Sequence, residues 1–142
     1  FLSISITLYL NKILTENNVV TDNLENFVIP IIAIFSVIGH CYPVWLKFKG
    51  GKGVATGFGI LAGFDFFIFL IIVFIWLFTF VAFRISSLSA LIAFCVSPLV
   101  FLYFNTEICF IYGALSITII IIIRHKENIF RLLKKEELKF KK

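Results

Sequence analysis

Methionine is absent from all 142 residues, and the chain opens on Phe1. An intact gene product starts with Met, so an N-terminal piece is expected to be missing here. Cysteine is limited to Cys41, Cys95 and Cys109, with no CxxC pair and no metal-ligand spacing. These three read as apolar filler within helices, not as a redox or zinc framework. No cluster of carboxylates could hold a metal, and no nucleophile elbow is present. Neither a metal nor a cofactor is expected. The strand-like alternation of a membrane barrel is missing too. Any chemistry must therefore run on cations, one or two histidines, amides and backbone N–H groups.

What is abundant is oil. Hydrophobic residues make up 61% of the chain, 19 of them Phe. Average soluble domains hold about 45–50% apolar residues, and a core of this length cannot hide the excess. The apolar residues come in continuous blocks, and only helices or closed barrels satisfy the backbone in lipid. The fold expected is all-α, a polytopic transmembrane helix bundle forming a single domain over 1–142. The blocks are 1–13, 27–46, 54–64, 66–83, 88–104 and 108–123. The first lacks the basic lead and cleavage site of a signal peptide and reads as the tail of a cut span. Five crossings follow it.

Apart from Lys12, charges sit between the blocks, and the signs of these boundary sites alternate. Glu16–Glu25, Asp65 and Glu107 are acidic; Lys47–Lys52, Arg84 and Arg124 onward are basic. Residues 124–142 carry eight Lys/Arg against three Glu, which accounts for the whole net charge of +5. Basic segments favour the cytoplasmic side and anionic headgroups, so a cytoplasmic C-terminal tail on a membrane-bound chain is expected, and nucleic acid is not a partner. This topology asks residues 54–64 to cross with eleven residues, roughly 16 Å of helix at 1.5 Å each, about half a hydrocarbon core. A short segment of that kind must be buried in protein or line a wet cavity. The alternative is one long helix over 54–83 that hides Asp65 in lipid, at the cost of a buried ionisable group.

Lys47-Phe48-Lys49-Gly50-Gly51-Lys52-Gly53-Val54-Ala55-Thr56-Gly57 lies between two such blocks. It does not fit the nucleotide P-loop pattern. Glycines let backbone N–H groups face an anion, and lysines add point charge for phosphate. A plain juxtamembrane anchor would need the lysines but not the glycines. Residues 124–133 leave the last block and are expected to continue as a helix. On it, Arg124, Asn128 and Arg131 share a face at i, i+4 and i+7, with His125 and Asn128 three apart. Taken alone, this stretch also fits an amphipathic surface helix. His125 is placed to carry a proton or donate to phosphate. His40 reads as an interfacial residue, Pro43 as a helix breaker, and Arg84 with Ser86, Ser87 and Ser89 as a turn and helix start. Trp45 and Trp76 read as packing or interface residues.

Gly39-His40…Pro43…Leu46-Lys47-Phe48-Lys49-Gly50-Gly51-Lys52-Gly53-Val54-Ala55-Thr56 closely resembles the second signature motif of the bacterial membrane-integral glycerol-3-phosphate acyltransferases, the PlsY family. Arg124-His125-Lys126-Glu127-Asn128-Ile129…Arg131-Leu132 resembles its third. The family's first motif, a Ser/Gly/Asn-rich loop ending in Arg, lies ahead of the span that opens here and is not in this sequence. The resemblance implies a seven-helix inner-membrane enzyme with its motifs facing the cytoplasm. It implies acyl transfer from acyl phosphate to the 1-hydroxyl of glycerol 3-phosphate, giving lysophosphatidate and phosphate, with neither metal nor cofactor. On that basis Lys49, Gly50, Gly51, Lys52, Gly53 and Arg124 are expected to hold substrate phosphate. His125, Asn128 and Lys52 are expected to be catalytic. The expected partners are the two substrates and the bilayer, and the expected state is a monomer. Two rival readings use the same charges: an anion transporter with a broken-helix site, and a structural protein that binds anionic lipid.

Overall fold

The computed structural model describes residues 22–139, with side-chain surroundings from residue 28. The block at 1–13 and the last three residues of the basic tail lie outside the described residues. Helix α1 spans Asp22–Cys41 and leads through a 3-10 turn, Val44–Leu46, into the lysine–glycine loop. Then come α2 (Val54–Phe64), α3 (Phe66–Phe83), α4 (Ser86–Tyr103), α5 (Ile108–Arg124) and α6 (Lys126–Leu133). All the regular structure among the described residues is helical, with no strand, as the apolar blocks require.

Helix α1 departs from its expected bounds at both ends. It is already helical at Asp22, the first described residue, inside a stretch that reads as a polar connector, because hydropathy marks grease and not backbone hydrogen bonds. It ends at Cys41 because Pro43 sits extended at φ −66°, ψ 128° and disfavours helix in the residue before it. Residues 54–64 and 66–83 form two helices, not one. Asp65 divides them: its backbone is extended, its N–H closes α2 on Leu61 O at 3.0 Å, and its carboxylate accepts from Ile68 N at 2.8 Å. One residue thus ends one helix and caps the next.

Three stretches are long and apolar enough to cross a bilayer, Val28–Leu46, Phe66–Phe83 and Ser86–Tyr103. α5 and α6 qualify together across a 64° bend. α3 exposes Phe66, Phe67, Leu70, Phe74, Leu77, Phe78 and Val81, the surface of a helix that faces lipid. The core is the inner seam of Ile60, Leu61, Ile68, Ile72, Phe94, Phe101, Ile117 and Ile121. Thr118 Oγ1 lies 2.8 Å from Ala114 O in its own helix and 2.7 Å from Phe94 O across to α4, so a buried hydroxyl is satisfied without water. Trp76 stacks on Phe80 at 5.4 Å within the bundle, and Trp45 stands 82% exposed beside the loop.

Short α2 does reach both ends of the bundle. It starts beside Val37 and Ile121. It finishes with Phe64 stacked on Phe110 at 5.1 Å, edge-on to Phe101 at 6.1 Å, and closed over Gly113, where any Cβ would strike the ring. Asp65 and the 104–107 turn therefore lie at one end. The loop, Ser86 and His125 gather at the other.

Candidate active site

The lysine–glycine loop is folded back hard onto the end of α1. Pro43 O accepts from Leu46 and Phe48 N–H, and Lys47 and Phe48 both adopt left-handed backbone, φ 50° and 61°. Gly50 then lies against α1 so closely that a Cβ would collide with His40 O and stand 2.7 Å from Cys41 O. Gly53, at φ 81°, turns the chain into α2 and serves as its N-cap without a side chain. The carbonyls of Gly50 and Gly51 are taken by Arg124, whose Nη2 donates to them at 3.2 and 3.1 Å. Its guanidinium also lies 4.6 Å over the Tyr42 ring. Among the described residues, the N–H groups of Gly50, Gly51, Lys52 and Gly53 have no acceptor. The first N–H groups of α2 lack intrahelical partners by geometry. A group of free donors beside Lys52 is suited to an anion.

The expected unbroken helix through 124–133 is corrected to two helices with a bend at His125. Its N–H is shared between Ile121 O at 3.0 Å and Ile122 O at 3.1 Å, while its Nδ1 also reaches Ile121 O at 2.8 Å. Side chain and backbone crowd one carbonyl, and the last turn tightens and ends. Arg124 is therefore parted from the face it was expected to share: it holds the loop, while Asn128 and Arg131 turn together toward Glu137.

His125 is 2% exposed. A carbonyl can only accept, so Nδ1 carries the hydrogen and Nε2 is the acceptor. Burial, aided by the charge of Lys52, holds its pKa below the usual imidazole range; the Ile121 bond and the Glu137 charge oppose this only in part. The ring is neutral at pH 7. Glu137, its side chain 8% exposed, accepts from Ser87 Oγ at 2.6 Å, Asn128 Nδ2 at 2.6 Å and Arg131 Nε at 2.7 Å. Burial alone would raise its pKa, but those three hydrogen bonds and the Arg131 charge bring it down to about 2.

Two neighbouring cavities result. The first, about 270 Å³, is lined by Lys52, His125, Asn128, Ser86, Ser87 and Glu137 among others. The second, about 280 Å³, is lined by Gly50, Gly51, Lys52, Arg124, Tyr42 and Lys126 among others. Lys52 borders both. Residues 72 positions apart in sequence thus meet at one end of the bundle. Lys49 and Gly53 line neither cavity, and His40 stays exposed at the loop's edge. Glu137 was read only as one acid in a basic tail, and Ser87 only as part of a helix start. Their pairing spans fifty residues, and no periodicity signals it.

The model of the glycerol-3-phosphate acyltransferase family matches residues 3–135 of this chain. The chain belongs to that family. Both motif segments that carried the resemblance fall inside the match. A glycerol-3-phosphate acyltransferase of Neisseria gonorrhoeae (strain NCCP11945) is 40% identical over 116 residues, 82% of this chain and 58% of the relative. The crystal structure of PlsY, an integral membrane glycerol 3-phosphate acyltransferase, in its glycerol 3-phosphate form superposes with a TM-score of 0.75 at 35% identity. That match covers 81% of this chain and 60% of PlsY. The lysophosphatidic acid form gives a TM-score of 0.72 at 31% identity, over 83% of this chain and 69% of that one. The chain is thus an integral membrane member of the acyltransferase family that spans little more than half the length of the first curated relative.

Proposed function

We propose that this chain, as part of a full-length protein, transfers a fatty acyl group from acyl phosphate to the 1-hydroxyl of glycerol 3-phosphate. The hydroxyl oxygen bonds to the acyl carbon, and the carbon–oxygen bond to phosphate breaks. The phosphate leaves with the electron pair and takes the hydroxyl proton, giving lysophosphatidate and inorganic phosphate. An acyl phosphate is an activated anhydride, so positioning and charge neutralisation supply the acceleration and no covalent nucleophile is needed.

The observation that carries this reading is the pair of cavities sharing Lys52. Two phosphate-bearing substrates need two anion seats close together, and one cation between them can serve both. Lys52, Arg124 and the N–H groups of residues 50–52 hold phosphate. Arg124 has a second duty as the clamp on the loop carbonyls. His125 and Asn128 orient glycerol 3-phosphate, with Asn128 Oδ1 accepting from the attacking hydroxyl until its proton passes to phosphate. The acyl tail stays among the helices, in the bilayer of a bacterial inner membrane, with the site and the C-terminus on the cytoplasmic side. The enzyme works as a monomer without metal or cofactor.

The test is a full-length version purified in detergent or in vesicles. Given acyl phosphate and glycerol 3-phosphate, it releases lysophosphatidate and inorganic phosphate in equal amounts, and acyl-CoA does not replace acyl phosphate. Phosphate flux across the vesicle without any product would overturn the reading in favour of a transporter.

A further inference from the structure

Asn128 is held by a residue that the proposed chemistry does not use. Its side chain is nearly sealed, at 4% exposure. A carboxamide has a donor end and an acceptor end, and shape alone does not tell them apart. Glu137 does. An ionised carboxylate can only accept, so the end that meets Glu137 Oε1 at 2.6 Å is Nδ2. Oδ1 is then turned the other way. It is buried, and among the described residues it has no hydrogen-bond partner. Buried polar atoms are rarely left unpaired, and those that are call for a reason. Asn128 lines a cavity together with Lys52 and His125.

We infer that Glu137 is a positioning residue: it fixes the Asn128 carboxamide so that Oδ1, not Nδ2, is offered to the substrate hydroxyl. The inference rests on the proposed reaction, in which that hydroxyl is the attacking group. Freed from Glu137, the amide can turn over and set donor against donor. Glu137 lines the same cavity, and its negative charge is offset there by its partners. Arg131 neutralises it at 2.7 Å, and Ser87 shares Oε1 at 2.6 Å, which ties the start of α4 to the tail. His125 and Asn128 then bring two neutral side chains to a cavity that Lys52 also lines.

The experiment is a double-mutant cycle in a full-length version, with kcat and the KM for glycerol 3-phosphate measured for E137A, N128A and the double variant. E137A is expected to lose roughly 10- to 100-fold in kcat with KM changed less than about threefold, since binding and orientation are separable. The double variant is expected to match N128A within about threefold, because nothing remains for Glu137 to orient. Losses that multiply overturn the inference, since Glu137 then acts by another route. If E137A does not fold, E137Q replaces it. It keeps an oxygen that can accept from Nδ2, so kcat stays within about fivefold of wild type; a kcat as low as that of N128A overturns the inference. A wild-type protein that makes no lysophosphatidate overturns the reaction itself, and the inference with it. An active wild type with multiplicative losses overturns the inference alone.

Discussion

Lys52→Met in a full-length version lowers acyl transfer by about 10²–10³-fold and leaves the protein folded. That is the loss expected when one preorganised charge contact to the transition state is removed. The size follows from place. Lys52 borders both cavities, so its removal weakens the seat of both phosphates. Its side chain is exposed and takes part in no ion pair among the described residues, so the fold does not depend on it. Surface changes of that kind usually shift stability by less than about 0.5 kcal/mol. Arginine at the same position restores only part of the rate: the charge returns, but a planar fork replaces a point donor. Activity above about a tenth of wild type in Lys52→Met would remove Lys52 from the centre of the account. Thermal unfolding of the purified variant separates this loss from misfolding.

Gly50→Ala fails in a different way, through the backbone. The new Cβ would collide with His40 O and stand 2.5 Å from Pro43 Cδ and 2.7 Å from Cys41 O. No rotamer relieves contact with carbonyl oxygens and a proline ring. Overpacking a tight site typically costs about 1–3 kcal/mol, and here the loop itself must move. The Arg124 clamp on the Gly50 and Gly51 carbonyls is then lost, and with it the second cavity. We expect activity to fall about 100-fold or more, with a lowered melting temperature. Gly51→Ala is the control. Its Cβ would stand 2.5 Å from His40 Nε2, the far end of an exposed side chain that can swing away. It is expected to cost less than Gly50→Ala, and His40→Ala is expected to relieve it while leaving Gly50→Ala unrelieved. Equal losses for the two alanines, measured as kcat/KM and melting temperature, would count against this packing of the loop.

Much of this site was legible in the sequence, and the reasons are local. Asp65 lies between two apolar blocks, and a lone carboxylate there ends one helix and caps another. Pro43 stops α1 for the same kind of reason, since its effect on the preceding residue travels with the residue itself. Alternating charge placed the loop, Arg84 and Arg124 at one end before any geometry was known. The bend at His125 was not legible, because it comes from two groups competing for the Ile121 carbonyl in an otherwise good helical sequence. Glu137 was not legible either. Its meaning lies in Ser87, fifty residues away, and in the unpaired oxygen of Asn128. The glycines were read as making room for an anion. Gly50 is needed at least as much to bring the loop against α1.

The central claim is that residues 50–56 and 124–130 form one seat for a phosphate ester at one end of the bundle. Hydrogen–deuterium exchange of a full-length version, with and without glycerol 3-phosphate, tests it directly. Slower exchange in both segments on binding, with none at 104–107 at the opposite end, is the predicted result. Protection in only one segment, or at the far end, would contradict it.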